Sequence, residues 1–134
     1  MAQFNKPGYS AQDFANVLAN REFGFSFAAM GNSKVSKKQW TAPSKGKITG
    51  IYATSANTAA AASADLTMTC DGNNCLDATQ ALDGYTLNTK TEVELNSTAA
   101  NLQFEQGDVI EAIITTDGTG TLTDAEVRVE WTML

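Results

Sequence analysis

Two cysteines, Cys70 and Cys75, flank the polar run Asp71-Gly72-Asn73-Asn74. At this spacing two chemistries are open. One is a disulfide across the mouth of a hairpin, closing a small loop and adding roughly 2 kcal/mol of stability in a chain-entropy account. The other is a pair of free thiols, the state that a reducing cytoplasm favours. The same run, with Asp77, gathers oxygen ligands in the manner of a calcium loop. However, Gly72 stands where an EF-hand has no glycine, and no glutamate closes the loop. Turns rich in Asn and Asp have this composition without any metal. The chain has no histidine, so the commonest general base and the commonest zinc ligand are both missing. Glu92 with Glu94, and Glu126 with Glu130, are the carboxylate pairs that glycosidase-type chemistry would need, but their spacing puts them on the wet faces of strands. Serines and threonines have no Ser-His partner, and no glycine-rich phosphate loop is present. These absences point to a non-enzymatic protein without cofactor or bound metal.

Charge is the second chemical signal. The net charge is −6, unevenly spread: residues 1–50 carry seven Lys and Arg against two acids, and residues 51–134 carry two against thirteen. Lys34, Lys37, Lys38, Lys45 and Lys47 surround Trp40, as in a small nucleic-acid patch. A nucleic-acid protein of this size is usually basic overall, and this chain is acidic, so the cluster is better suited to an acidic protein surface, including that of a neighbouring copy. Attraction between the two halves inside one fold is the plainer reading of the same asymmetry. Trp40, Tyr52, Tyr85 and Trp131 could form a sugar-stacking platform, although Trp131 alternates with core residues and Tyr85 alone lies in a segment expected at the surface.

The elements that position these residues are short strands. Gly107 to Leu134 reads as a pair of β-strands joined by a tight Asp117-Gly118-Thr119-Gly120 turn. In the second, Thr123, Ala125, Val127, Val129, Trp131 and Met133 point one way, and Asp124, Glu126, Arg128, Glu130 and Thr132 the other; this is the period of a strand with one buried and one wet face. Phe23, Phe25 and Phe27 share one strand face. Val35 to Trp40 is a lysine-rich strand of the kind found at sheet edges. Lys47–Thr54, Leu66–Cys70, Cys75–Thr79 and Lys90–Leu95 add further strands, with Asp71-Gly72-Asn73-Asn74 as a hairpin turn. Residues 55–64 read as a surface loop. At 134 residues the chain has room for one domain with a sizeable core. The expectation is therefore all-β: a single β-sandwich or jelly roll of about eight short antiparallel strands over residues 21–134. Residues 1–20 read as an N-terminal arm in which Ser10, with Asp13 three residues on, caps a short helix bearing Phe14, Val17 and Leu18 on one face. No apolar run is long enough to span a membrane, and MAQFNKPGYSAQDF lacks the apolar centre of a signal peptide, so the expected setting is a cytoplasm or an assembly built there.

Residues 98–134, with their Ser/Thr-Ala-Ala-Asn-Leu lead-in, Gly107-Asp108-Val109-Ile110, the Thr-Thr-Asp-Gly-Thr-Gly turn and the short final strand, resemble the C-terminal part of small structural proteins of tailed bacteriophages that decorate or cement the capsid. The DGNNC…LDATQAL stretch is compatible with the same pattern; residues 1–50 match nothing in it. The resemblance implies a virion structural protein, often a homotrimer, that binds the major capsid protein on the outer capsid lattice after assembly in the host cytoplasm; the acidic composition and the lack of a long apolar run add the expectation of no nucleic-acid and no membrane partner. Phe4, Tyr9, Phe14, Val17 and Leu18 of the arm, and Lys34, Lys37, Lys38 and Trp40, would then be the contact elements toward capsid or neighbouring subunit. The rival reading is a receptor- or glycan-binding module of a phage fibre or adhesin.

Overall fold

A computed structural model describes residues 20–57, 63–82, 91–117 and 121–134. The helical arm expected over residues 1–20 lies almost entirely outside the described residues, as do Tyr85 and the Gly118-Thr119-Gly120 part of the turn. Ten strands run through the described residues: β1 (Asn20–Ser26), β2 (Val35–Thr41), β3 (Gly46–Asn57), β4 (Ser63–Cys70), β5 (Asn73–Asn74), β6 (Gln80–Ala81), β7 (Thr91–Glu92), β8 (Gln103–Phe104), β9 (Val109–Asp117) and β10 (Leu122–Met133). One 3-10 turn, Ala99–Leu102, precedes β8.

The strands form two antiparallel sheets. One has the order β1-β10-β3-β7, with β8 also on β3; the other has the order β2-β9-β4-β5, with β6 also on β4. If the fragments β5 and β6 count as one position and β7 and β8 as another, eight positions remain. They pair first with eighth, second with seventh, third with sixth and fourth with fifth. That nested pairing is a long hairpin rolled into two sheets, which is the jelly roll.

The nesting corrects the reading of the closing pair. β9 and β10 follow one another but are not paired: β9 lies between β2 and β4, and β10 between β1 and β3. Alternation fixes which face of a strand is dry, but it does not say whether the next strand joins the same sheet or the opposite one. Both strands turn their apolar faces inward, Ile110, Ala112 and Ile114 from one sheet and Val127, Val129 and Trp131 from the other, so they meet across the core. The inward set of β10 also differs from a strict period of two. A register shift between Thr123 and Glu126, with Asp124 at φ +53°, makes a bulge. Leu122 is buried ahead of it and Ala125 behind it, while Thr123 and Met133 are not part of the buried set.

The hairpin at Asp71-Gly72 is tighter than the four-residue run suggests. Cys70 faces Asn73 in the ladder, and Asp71 and Gly72 both have positive φ, +51° and +80°, as a two-residue type I′ turn requires. The Gly107-Asp108 motif is likewise structural. Gly107 has φ +90°, the Asp108 carboxylate accepts the Glu105 N–H at 2.8 Å, and Gly107 N–H donates to the Ala42 carbonyl at 2.8 Å. This turn sets the start of β9 beside the end of β2.

The interior is filled. Ile48, Ile51, Leu66, Met68, Leu82, Val93, Ile110, Ile114, Val127 and Val129 are essentially inaccessible. At one end of it Trp40, Phe104 and Trp131 meet edge to face, with ring centroids 5.4–5.8 Å apart. Gly46 lies under this group; a Cβ there would fall 2.6 Å from Phe104 and 2.7 Å from Trp131. Gly46→Ala is therefore expected to overpack the cluster and lower unfolding free energy by about 1–3 kcal/mol, measured by denaturant titration with tryptophan fluorescence. A variant as stable as the parent would show that the rings can move aside.

Candidate interaction surface

The two long sides of the sandwich are unlike. On the side of β5, β6 and β7 the sheets are joined by backbone. Leu76 and Leu95 form an isolated bridge, Asp77 N–H donates to the Glu94 carbonyl at 3.0 Å, and Asn96 N–H donates to the Cys75 carbonyl at 3.0 Å. On the other side, β1 and β2 are the edge strands of their sheets, and neither has a second partner among the described residues. Here the sheets are held by side chains: Phe23 of β1 stacks on Trp40 of β2 with centroids 3.9 Å apart and planes 8° apart.

β2, with Lys34 just before it, carries the basic cluster on this open side, as the lysine content of the strand predicts. Lys34, Lys37 and Lys38 are all exposed, and none takes part in an ion pair among the described residues. Lys38 faces buried Ala112 across the ladder, on the same inward side as Ser36 and Trp40; Lys37 faces Ile113 on the outer side. An inward-pointing lysine on an edge strand hinders addition of a further strand. Lys45 and Lys47 are separate from this group. Lys45 pairs with Glu105 at 3.7 Å, and Lys47 lies on β3.

Lys34 is placed by a residue that sequence reasoning passed over. Buried Thr116 donates through its Oγ1 to the Gly31 carbonyl at 2.5 Å, while Lys34 N–H donates to that same Oγ1 at 3.1 Å. A single buried threonine at an inward position of β9 was the only signal available. Of the other expected contact residues, Trp40 is half-buried in the aromatic group, and Phe4, Tyr9, Phe14, Val17 and Leu18 lie outside the described residues. Of the four rings of the possible sugar platform, Trp131 is buried and Trp40 packs on the core, while Tyr85 lies outside the described residues.

Cys70 and Cys75 are free, buried thiols. Cys70 donates to the Gln103 carbonyl at 3.4 Å. Burial, with Asp108 and then Asp71 nearby, pushes the Cys70 thiol up to about 11; burial, then Cys70, pushes Cys75 up to about 12. Thiols so far from ionisation are poor nucleophiles. On the outer face of the first sheet, Arg128 lies over Gly24 and pairs with Glu22 at 3.2 Å and Glu126 at 2.6 Å. These half-exposed ion pairs are worth about 0–1 kcal/mol each. Several surface depressions are present. One of about 330 Å³ near Gln39, Asp71, Asp108 and Glu111 is open to solvent, and another of about 300 Å³ lies by Arg21, Thr49 and Glu130. Among the described residues no three His, Cys, Asp or Glu side chains gather as a metal site, and no helix is long and apolar enough to cross a membrane.

No protein-family model matches the chain, and no curated protein matches it. Among solved structures it is similar to the structure of infectious bursal disease virus, Gx strain, at 16% identity over 85% of this chain and 32% of that one, with a TM-score of 0.38. It is also similar to the VP2 subviral particle of that virus, at 13% identity over 86% of this chain and 37% of that one, with a TM-score of 0.37. The chain thus spans about a third of the length of the solved chains it matches. A likeness this distant carries no argument about function.

Both thiols ionise later in the folded protein than in the unfolded chain, so the unfolded chain loses protons first as pH rises. Their stabilising contribution is complete below the ordinary thiol value of 9.0 and is lost as pH climbs toward about 11 for Cys70 and 12 for Cys75. Chemical unfolding of the parent and of a Cys70→Ala/Cys75→Ala variant from pH 8 to 11 should show the parent losing stability more steeply; parallel curves would contradict the assignment. Thr116→Val is expected to cost about 1–3 kcal/mol by leaving the Lys34 amide unpaired, with faster hydrogen exchange at that amide as the local readout.

Proposed function

We propose that this chain is a virion structural protein that binds the outer surface of a capsid and stabilises its lattice as a self-associating, non-enzymatic decoration protein, with the major capsid protein as its partner. The observation that carries the reading is the contrast between a filled interior and a marked open edge. Jelly rolls host capsid proteins, lectins and cupin-type sites, and fold alone does not choose among them. Here the space between the sheets is occupied by aliphatic and aromatic side chains, so a binding role falls to the exterior. The exterior feature least explained by that interior is the group of Lys34, just before β2, with Lys37 and Lys38 on it, none of which has an ion-pair partner among the described residues.

The resemblance of residues 98–134 to phage decoration proteins supports the same reading. Weak edge contacts repeated by capsid symmetry would add through avidity, so modest single contacts suffice. The arm of residues 1–20, with Phe4, Tyr9, Phe14, Val17 and Leu18, supplies apolar area, and Lys34, Lys37 and Lys38 supply charge. The glycan-binding alternative would require an exposed aromatic platform, for which the placement of Trp40 and Trp131 gives no support.

Particles purified from infected cells that make the chain are expected to contain it at a copy number fixed relative to the major capsid protein, measured by quantitative mass spectrometry. Absence from particles would overturn the proposal. Deleting residues 2–19 should leave the far-ultraviolet circular dichroism of the sandwich in place while lowering particle occupancy at least tenfold; full occupancy would remove the arm from the account.

A further inference from the structure

The side of the sandwich opposite the lysines has a charge character of its own. The bridge between Leu76 and Leu95 and the Asp77–Glu94 backbone hydrogen bond bring two distant segments side by side. Asp77, Glu92 and Glu94 all lie exposed along that side. None has an ion-pair partner among the described residues, and the described segments 73–82 and 91–96 contain no Lys or Arg. Conversely, residues 27–44, which run up to and through β2, contain Lys34, Lys37 and Lys38 and no acid. Among the described residues the sandwich therefore has a basic long edge and an acidic long edge on opposite sides.

We propose that these edges are the two halves of a head-to-tail contact between copies of this chain, with Lys34, Lys37 and Lys38 of one copy set against Asp77, Glu92 and Glu94 of the next. A heterologous contact of this kind uses two different patches and closes into a ring when its rotation permits. Opposite charge steers the two edges together and rejects like pairings, basic with basic or acidic with acidic. The inward-pointing Lys38 hinders extension of the sheet across the contact, so the edges meet through side chains rather than through a continuous ladder. The inference deepens the self-association in the proposed function, and its test needs no capsid.

The full-length chain is examined alone by sedimentation equilibrium from about 50 to 500 mM salt, a range over which screening of exposed charges becomes nearly complete. The parent should associate at low salt, with the association constant falling roughly tenfold or more across the series. Replacing Lys34, Lys37 and Lys38 by Glu reverses the attraction while keeping charge on the edge strand, so protection against strand addition is retained. That variant, and separately Asp77→Lys/Glu92→Lys/Glu94→Lys, should each weaken low-salt association at least tenfold. The chain carrying all six changes should recover it, with circular dichroism confirming that every variant is folded. A parent that is monomeric throughout, association indifferent to salt, single swaps without effect, or a folded six-fold variant that does not recover would each overturn the contact. None of these results bears on whether the chain is found in particles, which the copy-number measurement decides separately.

Discussion

The dry layer between the two sheets is the constraint on which the rest of this structure depends. Every long strand contributes side chains to it, and the strands on either side can stay in register only while those side chains interdigitate. Among the described residues that layer is occupied by aliphatic and aromatic side chains, and the charged groups lie on the outer faces, the turns and the two long edges.

Those edges are closed by different physics. On the β5–β7 side, backbone hydrogen bonds run from one sheet to the other, and such groups must be paired wherever water is excluded. On the β1–β2 side, stacked aromatic rings do the joining, and the outward backbone of both edge strands has no strand partner among the described residues. An edge closed by side chains remains available to a partner. The lysines along β2 keep that availability from becoming indiscriminate strand addition, since an inward-pointing charge resists sheet extension while leaving the edge attractive to acid.

The turns show how local residues serve this plan. Asp71-Gly72 reverses the chain within two residues, Gly107 and Asp108 hold the start of β9 against the end of β2, and the bulge at Asp124 shifts the phase of β10 so that Leu122 and Ala125 are both buried. Thr116 is the same kind of device from the inside: a buried hydroxyl that ties the turn before β2 to β9 and so sets where Lys34 stands. The paired thiols belong with the packing. Burial holds them protonated and inert, beside a turn whose acids would disfavour a thiolate further.

Much of this was legible in the residues. Period-two alternation marked Phe23–Phe27, Leu66–Cys70 and Val127–Trp131 as half-buried strands, because side-chain direction is set by the strand itself. The lysines of residues 34–38 marked an edge, because a charge on both sides of a strand has no place in a sheet centre. Pairing was not legible. The same alternation serves a hairpin and two strands in facing sheets, and only the packing of Ile110, Ala112 and Ile114 against the opposite sheet placed β9 and β10 apart. The bulge at Asp124 was hidden for a related reason, since a one-residue shift is decided by the neighbouring strand. In the sequence Glu92 and Glu94 formed a pair on the wet face of one strand, and Asp77 belonged to the polar run around Asp71-Gly72-Asn73-Asn74. Their common edge exists because the tertiary fold bridges Leu76 to Leu95, a contact between residues nineteen positions apart that no local pattern encodes. Sequence determined which faces are dry and which strand is charged; tertiary structure decided which strands meet, because pairing depends on the shape and phase of neighbours that the chain brings from far away.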